Sequence, residues 1–334
     1  LVLGAAEKFN LVQHLSTLTK GDDTKICSCD IETVSGFNAS YSVNDRTRTF
    51  LKVQDGCDYS CTFCTIPMAR GKSRSDSVQN VVKQANALEK NGVKEIVLTG
   101  INLGDFGKGA AGGRKHQESF FELVQALDKE TKIPRYRISS IEPNLLTNEI
   151  IEWVAASDQF MPHFHIPLQS GSNEVLKLMQ RRYATDLYED RISQIKKLMP
   201  HACIGVDVIV GSPGETDAYF KETMDFLHTL DISYLHVFTY SERAMTKALN
   251  IKPIVPMSVR HERNKIARNL SYQKLQFFTA QQFGQTRKVL FESPKAVKDS
   301  EGLLMLEGYT DNYIKVETPY RPEWSNQIID WTLS

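Results

Sequence analysis

Between Phe50 and Gln282 short apolar runs alternate six times with stretches whose apolar residues recur at helical spacing, and few folds accept that order. The candidate strands are Phe50–Gln54, Glu95–Thr99, Tyr136–Ser140, His163–Leu168, Ile204–Val210 and Leu235–Tyr240. Most are β-branched or apolar runs bounded by Gly, Pro or Ser, as buried parallel strands are. The intervening helices are expected at Val78–Asn91, Phe120–Lys129, Asn148–Ala156, Asp186–Met199 and Ala218–Leu230. In the first of these, Val78, Val81, Val82, Ala85 and Leu88 share one face, and Gly92 supplies a C-terminal cap. Six βα units with right-handed crossovers predict an α/β fold. Eight would close a barrel. Six predict a partial (β/α)6 parallel barrel, with a flat doubly wound sheet as the alternative. In either case function sits at the C-terminal ends of the strands.

The last part of the chain changes character. A long polar helix over Val259–Phe283 precedes short runs at Lys288–Glu292, Leu303–Tyr309, Ile314–Thr318 and Ile328–Leu333, split by turns such as Asp311-Asn312 and Pro322-Glu323. This predicts a small antiparallel β-barrel domain. The expected divisions are 1–42, 43–274 and 275–334. Gly107–Gly113 reads as a flexible loop. The chain opens on Leu1 in the middle of an apolar pattern, so a true N-terminus is expected upstream.

Net charge is zero, with 40 Lys+Arg against 40 Asp+Glu, so any RNA contact is expected to be a local patch. No apolar run is long enough to span a bilayer, and no signal peptide is expected. Six cysteines are few for a secreted disulfide scaffold of 334 residues, and three fall within eight positions. That clustering points to metal binding in a reducing compartment, the cytoplasm, with no membrane partner.

The three are Cys57, Cys61 and Cys64, spaced C-x3-C-x2-C immediately after the first strand. Thiolates suit iron–sulfur clusters or zinc. A structural zinc or an electron-transfer cubane wants a fourth ligand, and downstream none follows closely. Three thiolates leave one iron of a [4Fe–4S] cluster open, where a substrate amine and carboxylate can chelate. A zinc site completed from afar is the rival.

The run Gly56-Cys-x3-Cys-x-Phe63-Cys64-x-Ile-Pro67-x-x-Arg70-Gly71 resembles the radical S-adenosylmethionine superfamily and, more narrowly, its methylthiotransferases. So do Leu98–Gly104, Ile138–Glu142, His165–Gly171 and Asp207–Thr216, each at a strand end. With Gly308–Tyr313, these look most like the threonylcarbamoyladenosine tRNA methylthiotransferases. The resemblance implies a [4Fe–4S] cluster on Cys57, Cys61 and Cys64 that cleaves S-adenosylmethionine to a radical. It implies S-adenosylmethionine contacts at Thr99, Gly100, Ser140, Glu142, Gln169, Arg182, Asp207 and Gly211. The implied reaction is methylthiolation of C2 of N6-threonylcarbamoyladenosine at position 37, in the anticodon loop of tRNA. A flavodoxin or ferredoxin would supply electrons. Segment 1–42 would be the tail of an N-terminal methylthiotransferase domain plus linker, 43–274 the radical domain, and 275–334 a TRAM-like RNA-binding β-domain. A second [4Fe–4S] cluster is expected in the full-length protein but not in this chain, because Cys27 and Cys29 do not match its motif. Alternatives are a methylthiotransferase acting on isopentenyladenosine tRNA or on a ribosomal protein, and a zinc-stabilised non-catalytic RNA-binding protein.

Several of these residues also have plain structural readings. Gly211–Thr216 is a tight strand–helix turn. Arg181 and Arg182 end a helix, where a cation is favourable in itself; either could instead bind the S-adenosylmethionine carboxylate or an RNA phosphate. His163 and His165 read as pocket packing, and Asp207 as a ligand contact or a satisfied buried carboxylate. Arg70, Lys72 and Arg74 form a charge run that could face phosphate. Tyr309, Tyr313 and Lys315 could stack on a base or form barrel core. Cys203 reads as a buried apolar residue.

Overall fold

The structure is a computed structural model and describes residues 1–21, 23–34, 36–42, 47–113, 115–292 and 302–334. Residue 43, an expected domain boundary, lies outside the described residues. Six parallel strands run in chain order: β1 (Arg48–Lys52), β2 (Glu95–Thr99), β3 (Arg135–Ile138), β4 (His163–His165), β5 (Cys203–Val210) and β6 (Tyr234–Thr239). β1, β2 and β3 pair in one sheet; β4, β5 and β6 pair in another. Parallel bridges between Tyr136 and Phe160 and between Ser140 and His165 join the two. No sheet closes on itself among the described residues.

Every unit buries an apolar run. In β2 Glu95, Ile96, Val97 and Leu98 are all buried. The helices cover the strands with the face their periodicity predicts. In α1 (Val78–Lys90) that face is Val81, Val82, Ala85 and Leu88, and Ser77 caps the first turn by accepting from Asn80 N–H at 3.2 Å. Such a cap is worth about 1 kcal/mol. α2 (Phe120–Glu130) opens on a reciprocal Ser119–Glu122 capping box. α3 (Asn148–Ala156), α4 (Thr185–Leu198) and α5 (Asp217–Thr229) complete the layer. One continuous core runs from Leu51 through Leu98 and Val206 to Leu270. Truncating a fully buried Leu98 to Ala would cost about 2–5 kcal/mol.

Four of the six strands stop short of their expected C-terminal ends, while β2 and β5 end at Thr99 and Val210 as expected. β1 stops at Lys52, and Gln54–Asp55 turns away to pair with Arg74–Ser75. β4 stops at His165, two residues before Pro167, which cannot donate to a ladder.

After α6 (Met257–Ala280) come β7 (Thr286–Phe291), β8 (Met305–Thr310), β9 (Lys315–Pro319) and β10 (Ile328–Thr332). They form a four-stranded antiparallel sheet ordered β9-β8-β7-β10, rather than a demonstrated barrel. Its core of Val289, Phe291, Leu306 and Val316 includes Cys203 of β5, so the two parts share apolar surface. They also share charge. Arg135 donates to Tyr309 O and Lys288 O, Arg137 donates to Asp311 O and Thr310 O, and both guanidiniums flank Glu95. Burial alone would raise the Glu95 carboxyl, but the two arginines hold it below the usual range. Breaking such a buried ion cluster from one side costs about 3–5 kcal/mol.

The described residues of 1–42 contribute little regular structure. Val2–Leu3 pairs with Ile26–Cys27, and Ser40–Tyr41 pairs with β1.

Candidate active site

Beyond β1 the chain is held by one buried side chain. Gln54 Nε2 donates to Asp55 O, Gly56 O and Ser73 Oγ at 3.1, 2.8 and 3.0 Å. Its Oε1 accepts the N–H groups of Ile101 and Asn102 at 2.8 and 2.9 Å. Gln54 thereby ties the cysteine loop to the loop after β2. A Cβ on Gly100 would stand 2.9 Å from Gln54 Oε1, so glycine there makes room for this contact. Gly56 starts the cysteine loop at φ +73°, with Lys72 O only 2.0 Å from where a Cβ would sit. Thr62 pins the loop's far side, its N–H bonding Met179 O at 3.1 Å and its hydroxyl Leu178 O at 3.0 Å.

Cys57, Cys61 and Cys64 are all free and line one cavity of about 730 Å³. Each sulfur accepts one hydrogen bond: Cys57 from Tyr59 N–H at 3.4 Å, Cys64 from Ile66 N–H at 3.4 Å, and Cys61 from Arg181 Nη1 at 3.2 Å. Burial pushes the Cys57 thiol up to about 11 and raises Cys64 as well, against the N–H of Tyr59 and of Ile66, and the neighbouring cysteines repel a thiolate further. Three gathered sulfurs with N–H donors already aimed at them therefore want a cation among them. That donor set fits a cluster held by three thiolates.

Arg181, a helix-end cation by its place in the sequence, does more than end a helix. It is 3% exposed, touches Cys61, binds the Glu142 carboxylate, and donates from Nε to Tyr183 Oη at 3.1 Å. Glu142 is therefore brought to the cysteines through Arg181. Arg182 lies over the Tyr59 ring at 3.9 Å and donates to Asp58 O at 3.2 Å. Asp58 is paired with Lys108 at 2.6 Å; burial raises its carboxyl, but Lys108 and the Ser73 N–H bring it below its ordinary value.

Lys108 belongs to the glycine-rich stretch expected to be a flexible loop. That stretch is instead anchored: Lys108 is 7% exposed and also bonds Asp105 at 2.8 Å, and Gly109 O accepts Ser75 N–H at 3.1 Å. Arg74 likewise does not face solvent. It is buried on Asp55 at 3.4 Å and donates to the carbonyls of Gly36, Arg70 and Lys72.

The other strand-end residues form a second group. Ser140 bridges His165, whose Nε2 lies 2.8 Å from Asp207 Oδ1. Gln169 takes φ +69°, donates its N–H to Asp207 O and accepts from Ile209 N–H. Thr99 closes β2 and accepts Val53 N–H. Gly211 is occupied from within: its N–H goes to Glu215 at 2.8 Å, and a Cβ would meet Arg260 Cγ at 2.3 Å. Tyr309 and Tyr313 stack on each other at 5.0 Å, and Tyr313 also stacks on His163 at 4.3 Å. These faces are spent between the two sheets. Lys315 is paired with Glu307 and Glu317.

Over residues 51–227 the sequence matches the radical SAM superfamily. It is 43% identical over 273 residues to the threonylcarbamoyladenosine tRNA methylthiotransferase of Bacillus subtilis, covering 81% of this chain and 59% of that one. To the enzyme of the same name from Aquifex aeolicus it is 35% identical over 317 residues, covering 93% and 75%. To the tRNA-2-methylthio-N(6)-dimethylallyladenosine synthase of Bacillus subtilis it is 33% identical over 274 residues, covering 80% and 51%. The chain thus spans between about half and three quarters of these relatives' lengths.

Proposed function

This chain belongs to the radical SAM superfamily and, within it, to the threonylcarbamoyladenosine tRNA methylthiotransferases, and from that premise we propose that it is the radical-generating part of a tRNA methylthiotransferase. Cys57, Cys61 and Cys64 would hold a [4Fe–4S] cluster, leaving one iron for S-adenosylmethionine. When bound, that pair supplies a one-electron reduction and a radical able to abstract hydrogen. The observation that carries this reading is the set of three free cysteines on one cavity, each sulfur taking an N–H from its surroundings.

The chain's own residues orient and shield. Arg181 holds Glu142 beside the cysteines; of the proposed S-adenosylmethionine contacts, Thr99, Gly100, Ser140 and Gln169 lie at or beyond strand ends, Asp207 lies within β5, and Arg182 lies in the turn before α4. For Gly211 the contact is proposed through its backbone carbonyl side, since Glu215 holds the amide. Lys72 and Lys247 line the cavity mouth and supply cations for RNA phosphate. The target would be C2 of the modified adenosine at position 37 of the anticodon loop, splayed from a single strand. A flavodoxin or ferredoxin is the proposed reductant. A second [4Fe–4S] cluster, the sulfur donor, is proposed for a segment outside this sequence.

The six parallel strands are read as a partial barrel. Arg48 and Phe50 of β1 and Tyr234 and His236 of β6 line one cavity, which supports a curled sheet. Residues 1–42, 43–274 and 275–334 are read as linker, radical domain and RNA-binding β-domain. A tRNA substrate supports a cytoplasmic location; among the described residues no helix is long and apolar enough to cross a membrane.

Anaerobic iron and sulfide analysis with electron paramagnetic resonance, with and without S-adenosylmethionine, tests the reading. About four irons and four sulfides, and a spectrum that changes with S-adenosylmethionine, are expected. Changing any of the three cysteines to Ala should abolish that signal. Zinc without sulfide would sink the proposal.

A further inference from the structure

Inside the curled sheet lies a second cavity of about 540 Å³, closed below by Tyr313 of the C-terminal sheet. Its walls carry Arg48, Arg137, His163, His165 and His236, and none of the described residues lining it is a carboxylate. Two of those residues are guanidiniums: Arg48, paired with Glu292, and Arg137, paired with Glu95.

His163 is 8% exposed, and its Nδ1 is buried without a hydrogen-bond partner. Burial, then the charges of Arg137, His165 and Arg48, keep its ring neutral. It thus lines the cavity as a neutral ring, its Nε2 lying 3.3 Å from Tyr234 Oη. His165 is fixed by Asp207 at 2.8 Å, and the His236 ring stacks on it at 5.1 Å with 21° between planes. Those three side chains could be taken for a metal site, since their ligand atoms lie within 4.8 Å of one another. Near-parallel rings do not converge on one ion, however, and the Asp207 oxygen is already committed to His165.

One strand end links this cavity to the cysteine site: Ser140 lines the cavity, and Glu142, two residues on, holds the Arg181 that touches Cys61. In adenine, C2 and the carbon bearing N6 both neighbour N1. A base presenting C2 to the cysteine end therefore carries its N6 substituent along the same edge.

We propose that this cavity is the subsite for the threonylcarbamoyl substituent, with His165 and His236 as its hydrogen-bonding walls and the Arg48 and Arg137 guanidiniums facing its carboxylate. The proposal rests on the function proposed above. A threonylcarbamoyl group brings an anion, a hydroxyl and an amide, which match the guanidiniums and imidazoles that line the cavity. A dimethylallyl group, named in the substrate of the other relatives, offers those polar walls no partner.

The test uses anaerobically reconstituted protein and anticodon stem–loop RNAs. The base at position 37 carries threonylcarbamoyl, its methyl ester, or dimethylallyl. Wild type should bind the threonylcarbamoyl RNA about tenfold or more tighter than the other two. His236→Leu should bring that ratio close to one while keeping the cluster spectrum, and His236→Gln should keep part of it. His236 lies exposed on an edge strand, so both variants should fold. Equal binding of acid and ester by wild type, or an unchanged ratio in His236→Leu, overturns the subsite alone. Binding of none of the RNAs overturns the underlying function and the subsite with it. Zinc or iron kept by a Cys57→Ala, Cys61→Ala, Cys64→Ala variant but lost on adding His236→Leu would instead make this a metal site and overturn the proposal.

Discussion

Arg181 Nη1 lies 3.2 Å from Cys61 Sγ, and the same guanidinium grips Glu142. One side chain therefore couples a proposed cluster ligand to a carboxylate on a different strand end. Arg181→Leu should strand Glu142 without its partner and destabilise the fold by about 3–5 kcal/mol. Arg181→Lys should restore the charge but not the fork, and recover only part of the loss. Urea midpoints and iron retained after gel filtration would check both; full retention in the Leu variant would remove Arg181 from the site.

Gln54 is the hinge pin of the cysteine loop, with five contacts of 3.1 Å or less. Gln54→Leu leaves the N–H groups of Ile101 and Asn102 buried and unmet. At about 1–3 kcal/mol for a stranded buried group, a loss of about 2–4 kcal/mol is expected in urea unfolding. Iron uptake should fall in parallel, because Gln54 also holds Gly56 O.

Gly56→Ala should be worse than its single methyl suggests. The new Cβ would meet Lys72 O at 2.0 Å, in a backbone conformation with φ +73°. Backbone strain of about 1–3 kcal/mol comes before any clash. Thermal melting would show it, and Gly113→Ala, which meets nothing within 4 Å, is the control expected to change little.

Acid should destabilise the protein near neutrality. His163, His201 and His236 are each held below the ordinary histidine range, chiefly by burial. In the unfolded chain they take up protons as pH falls through about 6.5, while in the folded state they resist until lower pH. The unfolded state then binds more protons, so stability is complete above that pH and declines below it. His163 alone contributes a slope of up to about 1.4 kcal/mol per pH unit. Melting temperatures between pH 7.5 and 5.5 should fall, and His163→Gln should flatten the curve.

Periodicity and spacing made the six βα units, their order and the cysteine triplet legible, because each is written in residues a few positions apart. What escaped needs partners far along the chain. Arg181 reads as a helix-end cation until Glu142 and Cys61 come to it from 39 and 120 residues away. Arg74 reads as part of a solvated charge run until Asp55 and three carbonyls enclose it. Glycines over 107–113 suggest looseness, yet Lys108 among them finds Asp58 and Asp105. Gln54 had no signal beyond its place after a strand. A long polar side chain following a β-branched run and preceding a ligand loop is a cue that could have found it.

The Arg135–Glu95–Arg137 cluster has a mechanical meaning. Through four carbonyl contacts it bolts the C-terminal sheet to the N-terminal ends of β2 and β3, and Tyr313 becomes the bottom of the inner cavity. The small sheet is thus more than an appendage. It holds one wall of the inner cavity at a fixed distance from the strands above, as a bracket sets the depth of a shelf. Cutting the last sixty or so residues would leave that cavity without its Tyr313 wall.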